Sequence, residues 1–256
     1  MFRTHGSQPC NQGSIPCGGT TPVICDFARM KVDIITIFPE QLRDYIEHGI
    51  FRIAVSTNKV EVNIHDLRDW TTDKHRTVDN RPYGGGAGMV MKIEPVFKAI
   101  REIKQEEGIV IIPTPRGKKM DQELIKDLYA STQTNVSQII LLCGHYEGFD
   151  ERVHEYLADI EISIGDYILS GGELPALVLL DAFLRYIPGV LGNESSVADE
   201  SFENDRLEYP QYTRPENFNG WKVPEILLSG DHQKIDQWRK ARSLEETLHK
   251  RPDLLK

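Results

Sequence analysis

Three short stretches combine glycine or proline with polar and aromatic side chains, each directly behind an apolar run. Pro113-Thr114-Pro115-Arg116-Gly117 follows Ile109 to Ile112, and Gly144-His145-Tyr146-Glu147-Gly148 follows Gln138 to Cys143. Gly165-Asp166-Tyr167-Ile168-Leu169-Ser170-Gly171-Gly172-Glu173 follows Ile160 to Ile164. Turns of this composition expose main-chain N–H and C=O groups, which hold an adenine or ribose edge, or an anion, without any side-chain charge. A fourth stretch, His75-Arg76-Thr77-Val78-Asp79-Asn80-Arg81-Pro82-Tyr83, packs two arginines, an acid and an aromatic ahead of a glycine cluster. Arginine with an interposed aromatic suits phosphate contact plus base stacking, so nucleic acid is a candidate substrate class.

Other readings fail on spacing. No register of Gly84-Gly85-Gly86 and Gly88 gives GxGxxG, and no GxxxxGK[ST] occurs, because Gly117-Lys118 is followed by Lys119 and Ile112 stands where the first glycine belongs. The glycine cluster is better explained as a loop that packs closely against a ligand or partner. Leu169-Ser170-Gly171-Gly172-Glu173 is similar to the signature of transporter ATPases, a likeness without force when no phosphate loop accompanies it. Cys143 closes an apolar strand and reads as a small core residue rather than a nucleophile. Nothing in the spacing of His145, Glu147 and His154 enforces metal ligation, and the first two suit a pocket lining; no metal site is expected.

The elements around these loops alternate. Lys31 to Phe38, Val60 to Leu67, Ile109 to Ile112, Gln138 to Cys143 and Ile160 to Ile164 read as strands, and Pro39 to Glu47, Glu94 to Glu106, Asp121 to Ser131 and Asp150 to Leu157 as helices. Such alternation implies an α/β fold with a mostly parallel sheet covered on both faces, whose ligands bind at the carboxyl ends of the strands. The three turns therefore converge on one pocket. Leu174 to Tyr186 reads as a largely buried helix, with Asp181 and Arg185 as its only charges. Residues 192–206 carry acids among small polar residues and read as a flexible linker. A smaller, mainly helical unit over 207–256 ends in a helix from His232 to Lys250, with basic residues around Trp238.

Composition bounds the rest. The chain has 256 residues and a formal net charge of −9, so any nucleic acid must meet local basic patches rather than bulk positive charge. No apolar run approaches the roughly 20 residues that cross a bilayer, and no membrane role is expected. Cys10, Cys17 and Cys25 lie within 1–29, leaving Cys143 alone in the remainder, which points to a reducing cytoplasm. Residues 1–29, rich in Gly, Pro, Ser and Thr, are expected to be a disordered extension, or an upstream start read ahead of a true start at Met30.

Longer blocks say more. HRTVDNRPYGGGAGM at 75–89, CGHYEGFDERV at 143–153, SIGDYILSGGELPA at 163–176, RYIPGVLGN at 185–193 and EYPQYTRP at 208–215 closely resemble, in order, the bacterial tRNA (guanine-37-N1)-methyltransferases. The resemblance runs from Met30 to about Pro252. It implies the SPOUT class of methyltransferases over 30–191, with a deep trefoil knot, an obligate homodimer, and S-adenosyl-L-methionine bound in the knot. It also implies a tRNA anticodon stem-loop lying across both subunits and contacting the unit at 207–256. The positions matching the family's cofactor site are Pro113, Thr114 and Pro115; Gly144, Tyr146, Glu147 and Gly148; and Ile164, Gly165, Asp166, Tyr167, Ile168, Leu169, Gly171, Gly172 and Pro175. The family uses magnesium, although no carboxylate cage for it is visible here.

The reaction so implied sets its own demands. N1 of guanine is protonated and weakly nucleophilic, so the site needs a base near N1 and a cation or strong donor near O6. Arg185 matches the family arginine assigned to O6; the plain alternative is a pair with Asp181. The family commonly has aspartate before Ser-Phe in the linker, whereas Glu200 precedes Ser201-Phe202 here and Asp199 lies one place earlier. Alignment favours Glu200 as base, with Asp199 as the alternative. His145 stands where many relatives carry arginine. Arg76, Arg81, Arg116, Lys118 and Lys119 are expected to flank the pocket as phosphate contacts. A SPOUT-like protein acting on ribosomal RNA, or one that only binds RNA, is the competing reading, and the blocks at 75–89 and 208–215 argue against it.

Overall fold

A computed structural model describes residues 29–191 and 200–255; Asp199, Cys10, Cys17 and Cys25 lie outside the described residues. Strand β1 (Met30–Thr36) leads through helices α1 (Pro39–Ile46) and α2 (Gly49–Ser56) to β2 (Val60–Asp66). The short strands β3 (Asp79–Asn80) and β4 (Val90–Met91) pair before α3 (Ile93–Ile103). There follow β5 (Gly108–Lys119), α4 (Gln122–Thr132), β6 (Gln138–Leu142), α5 (Glu151–Tyr156), β7 (Ile160–Ser163) and α6 (Glu173–Leu184). A hairpin of β8 (Asn217–Phe218) and β9 (Trp221–Lys222) precedes α7 (His232–Lys250).

The main sheet has the order β2-β1-β6-β5-β7, with every pairing parallel. Parallel strands covered on both faces need apolar residues at successive positions, and β1 and β6 supply them. Val32, Ile34, Ile139 and Leu141 pack with Leu42 of α1, Phe51 of α2, Ile125 of α4 and Phe183 of α6. Ile35, Ile140 and Leu142 pack on the other face with Val96 of α3 and Val153 of α5. Proline opens α1, where its missing N–H costs nothing, and Asp121 and Asp150 cap α4 and α5 by accepting from the Leu124 and Arg152 amides.

Each strand and helix expected from the sequence is present within a few residues of its expected bounds. Two points differ. Helix α2 was not expected: Gly49-Ile50-Phe51-Arg52-Ile53 carries glycine and β-branched residues, weak helix formers, yet burial of Phe51 and Ala54 against the sheet overrides propensity. Residues 113–117 are not a turn after the strand but a bulge inside β5. Pro113 and Lys118 both pair with Ile162 of β7, leaving 114–117 outside the ladder. Proline has no N–H to donate, so Pro115 cannot continue the pairing and the strand bows outward instead.

One buried charge interrupts the apolar pattern of β1. Asp33 is fully buried; its Oδ1 lies 2.8 Å from His65 Nε2 and accepts from Asn63 at 3.2 Å, while Oδ2 accepts from Gln138 at 2.6 Å. Burial pushes its carboxyl up, but these bonds and the Lys31 charge outweigh burial and hold it below the usual carboxylate range.

Candidate active site

Strands β6, β5 and β7 are neighbours in the sheet, so the segments at their carboxyl ends meet over one edge. They enclose a cavity of about 390 Å³. Pro113, Thr114 and Pro115 come from the β5 bulge, and Gly144, Tyr146, Glu147 and Gly148 from the loop after β6. The loop before α6 gives Ile164, Gly165, Tyr167, Ile168, Leu169, Gly171 and Gly172, and the first turn of α6 gives Pro175. Asp166 alone among the expected positions does not line the cavity; it is exposed and paired with Lys119 at 3.1 Å. His145 lines it as the sequence suggested. Arg116 and Ser170, from two of the converging turns, line it as well, while Phe149, Glu151, His154 and Ser163 line it but were not expected to. Phe149 and Ser163 adjoin expected positions, whereas Glu151 and His154 come in only because α5 passes beside the bulge.

Main-chain bonds lock the loops together. Gly172 N–H donates to Gly144 C=O at 2.8 Å, and His145 and Gly171 form an isolated antiparallel bridge. A Cβ at Gly172 would lie 2.8 Å from the Cys143 Cα, and one at Gly171 would lie 2.1 Å from His145 Nε2, so glycine is required at both. Beneath them Glu173, nearly fully buried at the start of α6, accepts from Thr36 Oγ1 at 2.5 Å and lies 2.8 Å from His145 Nε2. Burial, reinforced by the Glu173 charge, pushes the Cys143 thiol well up, in keeping with a core residue rather than a nucleophile.

The 75–89 block stands against the same loops. Glu147 N–H donates to Met89 C=O at 3.0 Å, Met91 N–H to Gly148 C=O at 2.9 Å, and Glu147 fills the space beside Gly88. A Cβ at Gly84, Gly85 or Gly86 would meet open space, and Tyr83 beside them is fully exposed.

Arg185 and Glu200 form an ion pair, in place of the Arg185–Asp181 alternative. Neither lines the cavity. Arg185 caps the far end of α6, and the 12 residues of that helix put about 18 Å between its ends. Glu200 is held nearby by a clasp at Glu203. That carboxylate accepts from Tyr186 Oη at 2.5 Å and from Gln122 at 3.2 Å, and pairs with Lys126 at 2.7 Å. Burial raises Glu203, but Lys126 and its hydrogen bonds prevail and hold it low, while burial beside Glu203 pushes the Tyr186 hydroxyl up.

Much of the expected basic patch is already neutralised. Arg116 makes a two-pronged bond to Glu151 at 2.8 and 2.9 Å and also reaches Glu161; Arg76 pairs with Asp69 and Lys119 with Asp166. Arg81 and Lys118 carry no ion pair among the described residues. Arg239 of α7 lies over Tyr209 at 4.8 Å and the Tyr212 ring packs 6.4 Å from that of Trp238, so these contacts tie the 208–215 block to α7, while Arg242 lies over Trp238 within the helix itself.

The family model for tRNA (Guanine-1)-methyltransferase TrmD matches residues 30–256. A tRNA (guanine-N(1)-)-methyltransferase of Carboxydothermus hydrogenoformans is 50% identical over 227 residues, covering 89% of this chain and 88% of the relative. The enzyme of that name from Staphylococcus carnosus is 49% identical, over 88% of this chain and 91% of its own. That from Thermosipho africanus is 51% identical, over 88% and 89%. The match takes in the parallel sheet, all the segments lining the cavity, Arg185 with Glu200, and the C-terminal helix alike, and the chain belongs to the tRNA (guanine-1)-methyltransferase family.

Proposed function

We propose that the protein transfers a methyl group from S-adenosyl-L-methionine to N1 of guanosine at position 37 of tRNA. The observation that carries this reading is the Arg185–Glu200 pair. A carboxylate beside a guanidinium offers an acceptor for the N1 proton and a donor for the negative charge that deprotonation pushes onto O6.

The cavity suits the methyl donor. Its walls offer main-chain groups to an adenine and ribose edge. Its one arginine, Arg116, is committed to Glu151 and Glu161, which disfavours a phosphate ligand and suits a cationic one. Tyr146 and Tyr167, both half-exposed on the rim, offer ring faces to positive charge. The sulfonium supplies an already activated methyl, and the work left to the chain is to orient the base, remove the N1 proton and exclude water. Glu200 takes that proton, Arg185 steadies O6, and the clasp at Glu203 holds Glu200 in place.

Two copies are needed for this chemistry. The cavity and the Arg185–Glu200 pair lie at opposite ends of α6, too far apart to act on one guanine within one chain. Helix α6 leaves Leu174 and Val178 exposed one turn apart, near exposed Ile168 and Leu169 of the cavity rim. An isologous homodimer through this face sets each pair over the partner's cavity. The close main-chain contacts between the loop after β6 and the loop before α6 fit the threaded crossing of a trefoil knot over 30–191. Residues 207–256, in which Tyr209 and Tyr212 pack on Arg239 and Trp238 of α7, serve as the tRNA-binding domain, and the enzyme works in the cytoplasm.

Incubation with labelled S-adenosylmethionine and tRNA transcripts carrying guanosine or adenosine at position 37 tests the proposal. Label is expected only in the guanosine transcript; equal labelling of both contradicts it.

A further inference from the structure

Thr36, Glu173 and His145 come from three separate places in the chain and meet under the cavity floor. Their hydrogen bonds have a fixed direction. Thr36 Oγ1 accepts from the Phe38 amide at 2.8 Å, so its own proton is left for Glu173 Oε1 at 2.5 Å. Glu173 is 4% exposed and sits at the first residue of α6, where the positive end of the helix dipole favours a carboxylate. Its second oxygen faces His145 Nε2 at 2.8 Å, and a carboxylate only accepts, so Nε2 carries a proton.

The other ring nitrogen is then the informative one. Among the described residues Nδ1 of His145 has no hydrogen-bond partner, and the side chain, 14% exposed, lines the cavity. The ring is held in place by an edge-to-face contact with Phe38, ring centroids 4.8 Å apart, and by the bridge of its main chain to Gly171. Nδ1 stays open to solvent, as an acceptor on a cavity wall that a donor of the occupant can take over from water.

We infer that Glu173 is a positioning residue that holds His145 as the Nε2–H tautomer, so that Nδ1 accepts a hydrogen bond from a hydroxyl or amino group of the bound methyl donor. The inference rests on the methyl-donor reading for its ligand and on geometry alone for the tautomer. Thr36 anchors Glu173, and Gly171 leaves the room in which the Glu173–His145 bond forms.

Nitrogen-15 spectra of the ligand-free full chain, labelled at histidine, test the tautomer. Wild type shows Nε2–H at His145. In Glu173→Gln the amide oxygen still accepts from Thr36 while its NH₂ faces Nε2, so the proton moves to Nδ1. The KM for S-adenosylmethionine then rises about five- to tenfold, the fold-change of one hydrogen bond, with kcat within about twofold of wild type. Should Glu173→Gln fold poorly, His145→Phe and His145→Asn carry the same comparison: the first raises KM similarly, and the second, with its amide oxygen near the Nδ1 position, retains most of the affinity. An Nδ1–H tautomer in wild type, or an unchanged KM in both Glu173→Gln and His145→Phe, overturns the inference. A wild type that holds Nε2–H yet binds no S-adenosylmethionine in a calorimeter overturns the methyl-donor reading and the ligand half of the inference, and leaves the tautomer assignment standing.

Discussion

Arg185, at the C-terminal end of α6, is ion-paired with Glu200, so the cation and the carboxylate assigned to guanine neutralise each other in the substrate-free chain. Both groups are partly buried, and the pair holds them ready without leaving either charge alone. On the proposed function, a guanine edge entering the site would exchange the pair's mutual contact for contacts at O6 and N1.

Removing either partner is therefore expected to act on the chemical step. Glu200→Gln and Arg185→Met each are expected to lower the single-turnover methylation rate by about 100- to 1,000-fold, the usual effect of losing a positioned base or a charge-stabilising donor. Affinity for S-adenosylmethionine stays within about twofold, because neither residue lines the cavity. Rapid-quench kinetics and calorimetry on the same preparations separate the two quantities. A variant that binds the methyl donor poorly but methylates at full speed when saturated contradicts the assignment.

Glu203 is expected to act through position rather than chemistry. In Glu203→Ala the bonds to Tyr186, Gln122 and Lys126 are lost together, freeing the segment that carries Glu200. The methylation rate then falls about tenfold, while the pH at which the rate is half-maximal stays put, since the base itself is unchanged. A shifted pH profile would mean that Glu203, not Glu200, takes the proton.

Salt dependence distinguishes the free cations from the committed ones. Arg81 is available to a phosphate, whereas Arg116 is held by Glu151 and Glu161. Arg81→Ala is expected to reduce the slope of log affinity for tRNA against log salt by about 1, and Arg116→Ala by much less. Equal effects of the two substitutions on that slope would show that Arg116 leaves its carboxylates when RNA binds.

Asp33 makes stability depend on acid. Its folded-state carboxyl is held below the unfolded value of about 3.9, so its contribution is fully present above that pH and is lost as pH falls through the folded value. Asp33→Asn, which leaves a buried donor without its acceptor, is expected to cost about 2 to 4 kcal/mol at pH 7 and to flatten the acid limb. Urea unfolding from pH 7 down to pH 3 measures both; an acid limb as steep in the variant as in wild type would refute the linkage.

The sequence carried the sheet and the cavity because both depend on local pattern. Apolar runs of four to eight residues fixed the strands, and strand order brought the β5 bulge and the loops after β6 and β7 together, with only Asp166 turned to Lys119 instead. Partner choice was not legible. The Glu173 contact with Thr36 spans 137 residues, and nothing in the charge of Arg76, Arg116 or Lys119 says that carboxylates from other elements already hold them. The bulge in β5 lay in plain view as Pro113 and Pro115, but a run of prolines reads equally as a turn until β7 is seen pairing on both sides of it.

The division of labour between two copies is the central claim, and subunit mixing tests it most directly. Ser170→Trp on the exposed cavity rim blocks the cavity, and Glu200→Ala removes the base; each alone is expected to form almost no 1-methylguanosine in tRNA. Unfolded, mixed in equal amounts and refolded together, they give hybrid dimers in which one intact cavity faces one intact pair. With half of the dimers hybrid and one site working in each, the mixture recovers about a quarter of the wild-type rate. A mixture no more active than its separate parents would show that cavity and pair belong to the same chain, and the account would fall.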